Sequence, residues 1–379
     1  MNSTEALSPP APDEIEVSIF GPGFGEAIAI HVGQASWILV DSCIDPESRL
    51  PVSIRYLNSL GLNPADVVKL VVVTHWHDDH IRGLSKVIEQ CSTAKIAMSM
   101  AMNTPVFQKF LAAVKASPAR ETTGFNEIDR VFQQMLARQS EGLANPYPMW
   151  TTSRQTLFTS SPTHGGVTVC ALSPSDKSIQ IAMGQFASLL PPGHDLNKRS
   201  SPINPNHNSI VLWLEAQERN ILLGADLEHT SDKACGWAAV VDNKVPKGKA
   251  DAFKVSHHGG KSGHDDIIWT DLLNNDPIAV ITPWSKGDEF LPKPDDLIRI
   301  KASTTRAYCT AVPYFHKIKF KDHVVRRWVS EVTRRIQPAQ PKPGHVRIRL
   351  SPAENPSAWK VETFNGAQPV AVLLSHLSE

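Results

Sequence analysis

The sequence contains no C-x-x-C pair, no internal repeat, no excess of either charge and no run approaching the roughly 20 apolar residues of a membrane span. Each absence removes a class of protein. The five cysteines, Cys43, Cys91, Cys170, Cys235 and Cys309, are odd in number and widely scattered, so they read as reduced packing residues. Lys plus Arg and Asp plus Glu both total 38, so whole-chain charge gives no reason to expect a polyanion or a membrane surface, although local patches stay open. The opening residues, MNSTEALSPPAPDEIE, lack the basic start and apolar stretch of a signal peptide. A cytoplasmic protein without membrane association is the expectation.

What is present is an ordinary globular composition: 379 residues, 41% hydrophobic and 20% charged, enough to bury a sizeable core. The Pro-rich stretch Ser8 to Pro12 marks a disordered terminus over residues 1–14, and Pro338 to Pro343 reads as a turn or linker. Ile15 to Phe20, Ala27 to Val32 and Trp37 to Val40 are short β-prone runs punctuated by GPGFG and Gly33, as in a hairpin-rich sheet. Pro51 to Leu60 has helical spacing and stops at Gly61. Val67 to Val73 is almost unbroken and β-branched, which predicts a strand buried on both faces.

Directly behind that run stands THWHDDH, Thr74 to His80. Downstream, His207 precedes the apolar run of NHNSIVLWLE, Asp226 follows that of NILLGADLE, and Ala252 to Val255 leads into Ser256-His257-His258-Gly259-Gly260. Strand after strand ends in a ligand-type residue, so these loops can converge on one sheet edge. His75 and His77, two apart in an extended stretch, point to the same side and can hold one ion, while Asp79 and His80 reach a second. A dinuclear site also needs a bridging carboxylate and further histidines, and Asp226, His207 and His257 are available. The alternatives are a polar surface loop for THWHDDH, a strand-edge residue for His207 and a helix N-cap for Asp226. Of the adjacent histidines, His257 is expected as the ligand because it is nearer the strand end, leaving His258 to protonate a leaving oxygen.

These residues resemble the metallo-β-lactamase-fold hydrolases, whose H-x-H-x-D-H signature THWHDDH matches, with His207, Asp226 and His257 following the order of the later motifs. The segment GPGFGEAIAIHVGQASWILVDSC and the paired HHGG look most like the branch related to the ComEC hydrolase domain. The resemblance covers roughly Ile15 to Trp284. It implies an α/β fold, a four-layer αββα sandwich over residues 15–350, with 351–379 as C-terminal strands and tail packed on the same domain. It also implies two divalent metal ions, zinc favoured and manganese possible, held by His75, His77, Asp79, His80, His207, Asp226 and His257. Asp79 and His258 are the expected catalytic groups, and Asp41 supports the site by hydrogen bonding.

Two departures stand out. The related branch often has Asn where this chain has His207. His80 and His207 are 127 positions apart (207 minus 80), more than a helix-strand unit needs. A helical insertion over about residues 104–142, with Phe107, Phe110, Leu111, Ile128, Phe132 and Leu136 as apolar positions, fills that interval, either as a packed hairpin or as a lid.

Two metals can polarise a phosphoryl or acyl oxygen and hold a hydroxide at neutral pH, so hydrolysis is expected. His77 is not replaced by Glu, as in redox members, nor is the bridging Asp replaced, as in members that open β-lactams. Phosphodiester cleavage in nucleic acid or a nucleotide is favoured by analogy with the nearest branch. The alternatives are a hydrolase of a small ester, thioester or lactone, and a binding protein that retains the metals without catalysis. The segment His316 to Arg335 carries Lys317, Lys319, Lys321, Arg326, Arg327, Arg334 and Arg335 with Phe320 and Trp328 interleaved. It reads either as a track for a phosphate backbone or as a solvated cationic face. Lys261 and Ser262, behind two glycines, are either phosphate-binding groups or part of a tight turn.

Overall fold

The computed structural model describes residues 8–21, 25–116, 123–160, 166–188, 204–216, 218–244, 247–313, 322–332, 343–351 and 359–375. Within them, two eight-stranded mixed sheets stack face to face with helices on both outer surfaces. This is the αββα sandwich. Strands β1 (Ile15–Gly21), β2 (Ala27–Val32), β3 (Trp37–Val40), β4 (Val68–Val73), β5 (Lys95–Ser99) and β6 (Met149–Thr151) begin the first sheet. The second begins with β7 (Gln155–Thr159), β8 (Thr168–Ala171), β9 (Leu212–Ala216), β10 (Arg219–Leu223), β11 (Ala250–Lys254) and β12 (Leu273–Ile281). A separate hairpin of β13 (Trp284–Lys286) and β14 (Glu289–Leu291) follows. The strand β15 (Ala307–Cys309) then extends the second sheet, β16 (Gly344–Leu350) and β17 (Lys360–Phe364) extend the first, and β18 (Gln368–Pro369) completes the second.

Residue alternation explains the layering. On β1, Ile15, Val17 and Ile19 enter the layer between the sheets, where they join Ile221, Ile278 and Val280. On β4, Leu70 and Val72 face that layer while Val71 and Val73 face the helices, so an unbroken apolar run is what its place requires. The chain beyond Leu350 stays with the same body, since β17 pairs with β16 and Val370 and Leu373 pack outside the second sheet.

Residues 8–14 are not frayed. Arg349 donates to the Ser8 carbonyl, the Gln34 backbone N–H donates to the Pro12 carbonyl and the Ala11 N–H donates to the Glu14 carboxylate. Residues 1–7 lie outside the described residues.

Between β5 and β6 run two helices, Pro105–Ala116 and Thr123–Ser140. Ile128, Val131 and Met135 bury against the first sheet's outer layer, and Arg138 donates to the carbonyls of Ile88, Cys91 and Ala94. Leu136, grouped by spacing with the apolar positions, is instead 57% exposed, and the side chain of Phe110 lies outside the described residues. No helix among the described residues is long and apolar enough to cross a membrane.

Strand direction builds the site. The C-terminal ends of the parallel strands β3 and β4 and the start of β2 share one edge of the first sheet. The C-terminal ends of β10, β11 and β12, with the start of β9, share one edge of the second. The backbone N–H of Ile210 donates to the Thr74 carbonyl and joins these edges.

Candidate metal centre

Three loops leaving strand ends, those after β4, β10 and β11, bring His75, His77, Asp79, His80, Asp226 and His258 together. His75 leaves β4 fully buried, and its ring centroid lies 5.0 Å from that of His77 and 4.2 Å from that of His80. Ligand atoms of His75, His77 and Asp226 lie within 4.8 Å of one another. Asp226 Oδ2 is 4.0 Å from His75 Nε2 and 3.3 Å from Nε2 of both His80 and His258. Asp79 Oδ2 is 2.9 Å from His258 Nε2 and 3.7 Å from His80 Nε2. Asp226 is therefore shared by two groups of donors.

Hydrogen bonds behind the rings set which nitrogen faces inward. Asp41, at the end of β3, takes His80 Nδ1 at 2.7 Å on Oδ2, which also accepts from the Thr74 hydroxyl, while Oδ1 accepts from the Thr74 N–H. Thr74 Oγ1 in turn lies 2.9 Å from His75 Nδ1, and His258 Nδ1 lies 2.9 Å from the Thr282 carbonyl. Each contact on Nδ1 leaves Nε2 as the inward-facing nitrogen.

These residues fit a cation. His75 Nε2, His80 Nε2 and Asp226 Oδ1 are buried without a hydrogen-bond partner, a state that costs about 1–3 kcal/mol per group unless something else satisfies them. Burial, with the neighbouring His80 and His77, holds His75 well below the ordinary imidazole range, and burial also lowers His77, so both are neutral donors. Burial works against charge on His80 and His258 too, but the surrounding carboxylates together outweigh it, Asp226 with Glu26 and Asp41 lifting His80 well above the usual range and Asp226 with Asp79 lifting His258 to about 9. Burial pushes Asp226 up, yet His258 and His80 hold it well below the carboxylate range.

Glu26 and Lys254 belong to the same floor and carry no motif in the sequence. Glu26 Oε2 is 2.6 Å from Lys254 Nζ and accepts a hydrogen bond from Thr282 Oγ1. Although Glu26 lies close to His80, Asp226 and His258, it approaches both rings from the Nδ1 side, at 3.8 and 3.6 Å. It is a partner of Lys254 rather than an inward donor. Gly25, at φ 97°, allows this approach, because a Cβ there would stand 2.8 Å from the Asp79 carbonyl.

Two expected ligands stand elsewhere. His207 sits on the turn Pro205–Asn208, which buries Asn206 and Asn208 and turns His207 outward, 37% exposed and 3.3 Å from Glu228 Oε2. His257 Nδ1 lies 3.0 Å from Glu228 Oε1 and 2.6 Å from Ser262 Oγ. Strand-end proximity fails as a guide because His257 and His258 both adopt left-handed backbone, φ 46° and 53°, and this reversal swings His258 inward. Burial would raise Glu228, but the His207 hydrogen bond, the His257 charge and the Asn206 amide bring it to about 2.

Ser262 is tied into the Glu228 and His257 cluster, while Lys261 is exposed. The nearby cation is Lys286, which lines a 430 Å³ cavity above the centre with Trp76, Phe125, Trp284 and Leu291. Of the basic segment, Lys317, Lys319, Phe320, Lys321, Arg334, Arg335 and the Arg326 side chain lie outside the described residues. On the helix His323–Val332, Trp328 is 62% exposed and Arg327 pairs with Glu331 at 2.9 Å.

Parts of the chain are similar to known proteins. Residues 20–106 match the family model described as the metallo-beta-lactamase superfamily. ComE operon protein 3 of Bacillus subtilis (strain 168) is 36% identical over 83 residues, which are 22% of this chain and only 9% of that protein. Among solved structures, the metallo-beta-lactamase fold protein YhfI from Bacillus subtilis is 12% identical, covering 78% of this chain and 95% of that one at a TM-score of 0.39. Zn(2+)-bound PqqB from Methylobacterium extorquens is 14% identical, covering 61% and 56% at a TM-score of 0.28.

Proposed function

We propose, for a chain of the metallo-β-lactamase fold with likeness to the ComE-related branch, metal-dependent hydrolysis of a phosphodiester in nucleic acid or a nucleotide. The observation that carries it is Asp226 shared by one group with His75 and His77 and another with His80 and His258, with Nε2 of His75 and of His80 buried and without a hydrogen-bond partner. When bound there, two divalent ions polarise a phosphoryl oxygen and acidify water. Zinc suits these nitrogen and carboxylate donors, and manganese uses similar sets.

The chain's own groups divide the remaining work. Asp41 and Thr74 hold His75 and His80 in the tautomer that presents Nε2. Asp79, at the cavity floor, orients the attacking water and takes its proton. His258 fits ligation and so gives up the proton-donor role, while His257, at the cavity wall, has Glu228 on Nδ1 and the Asn206 amide on Nε2. The apolar wall of Trp76, Phe125, Pro205 and Leu291 favours one competing substrate, a small ester, thioester or lactone.

A panel separates them: bis-p-nitrophenyl phosphate, single-stranded and duplex DNA, RNA, cyclic nucleotides and a lactone set, each with zinc-loaded and manganese-loaded protein. Chelator-sensitive turnover of phosphodiesters is the expected result. Turnover of lactones alone would transfer the site to acyl chemistry, and no turnover of any substrate would favour the non-catalytic reading.

A further inference from the structure

The cavity over the centre combines a small volume, aromatic walls and a single ammonium. Its 430 Å³ lies near the lower end of the roughly 300–1,000 Å³ that small-ligand sites span, which is room for one nucleotide unit. Trp284 lies nearly parallel to His258, with ring centroids 6.2 Å apart and an angle of 19°, so a planar group held on the Trp284 indole is held beside the centre. Lys286, two residues along the same short strand β13, brings the positive charge. The helical insertion adds Phe125 to the wall. Gly124 permits that approach, because a Cβ there would stand 2.7 Å from Asp78 Oδ1 and 3.1 Å from the Trp76 carbonyl.

The chemistry narrows the occupant. An aromatic wall with no dedicated amide or hydroxyl pattern stacks bases without selecting among them. In a duplex those faces are already stacked, and extruding a base costs a few kcal/mol, so an unpaired base has the advantage. The floor of Asp79 and Asp226 repels an anion until cations occupy it, whereas Lys286 attracts one at any time.

We infer that this cavity receives one unpaired nucleotide unit, its base against Trp284 and its phosphate between Lys286 and the metal-bearing floor. This rests on the phosphodiester reading above and assigns its specificity to β13.

Calorimetric titration of the full, zinc-loaded chain with thymidine 5′-monophosphate, thymidine and deoxyribose 5-phosphate tests it. The monophosphate should bind at least about tenfold more tightly than either fragment, given base-aromatic stacking of roughly 1–3 kcal/mol. Trp284→Ala should weaken the monophosphate by about tenfold and leave deoxyribose 5-phosphate unchanged, while Trp284→Phe retains the base preference. Lys286→Ala should weaken both phosphates and leave thymidine alone. A single-stranded thymidine decamer should displace the monophosphate where a blunt duplex of equal length does not. Equal binding of the monophosphate and deoxyribose 5-phosphate, an unaffected Trp284→Ala variant or equal displacement by duplex would overturn the inference. Base-dependent binding without phosphodiester turnover would remove the hydrolase and keep the pocket. Turnover without base dependence would do the reverse.

Discussion

Lys254 Nζ lies 2.6 Å from Glu26 Oε2 beneath the candidate centre, and each residue is only 1% exposed. The same ammonium donates to the Ala225 carbonyl at 3.1 Å and stands 3.9 Å from Asp226 Oδ1. Lys254 ends β11 one strand away from the loop bearing Asp226, so a permanent charge fixes the carboxylate shared by the two donor groups.

Breaking that pair should be costly for folding. Lys254→Met leaves Glu26 buried and uncompensated, which is expected to destabilise the protein by about 3–5 kcal/mol in urea unfolding. Adding Glu26→Gln should recover a substantial part of the loss. A single variant within about 1 kcal/mol of the parent would show that the pair is not buried as described.

Asp41 acts behind the ligands. Asp41→Asn keeps the shape but places an amide where His80 Nδ1 and the Thr74 hydroxyl both require an acceptor. Metal affinity should fall by about 10–100-fold in chelator competition, with the fold intact by circular dichroism. An unchanged affinity would separate Asp41 from the metal centre.

Thiol chemistry checks the packing independently of any metal. Burial pushes Cys91 up to about 12 and raises Cys43 and Cys309 further from reactivity, while Cys170 is part-exposed. A raised thiol pKa keeps the unreactive protonated form until the pH approaches that value, so at pH 8 these three stay thiols. Iodoacetamide at pH 8 should modify Cys170 in the native protein and all five cysteines in denaturant, read by peptide mass spectrometry. Fast native labelling of Cys91 or Cys309 would contradict the core packing.

Legibility in the sequence followed local chemistry. The runs ending at Val40, Val73 and Leu223 announced strands because burial on both faces leaves little room for polar residues. THWHDDH announced a metal loop because its spacing concentrates donors on one short stretch. What stayed hidden depended on side-chain direction or distant partners. The inward turn of His258 comes from two left-handed residues, a conformation that no motif for histidine encodes. Glu228 draws away both His207 and His257, although it lies only two positions beyond Asp226. Glu26 and Lys254 meet across the two sheets, 228 positions apart (254 minus 26), and nothing local in either stretch points to the other.

The metal content of three proteins tests the central arrangement most directly. After loading and gel filtration, elemental analysis should find two ions per chain in the parent, two in His257→Ala and about one in His258→Ala, since Nε2 of His258 faces Asp79 and Asp226 while His257 faces Glu228. One ion per chain in the parent, or loss of an ion from His257→Ala with retention in His258→Ala, would contradict the account.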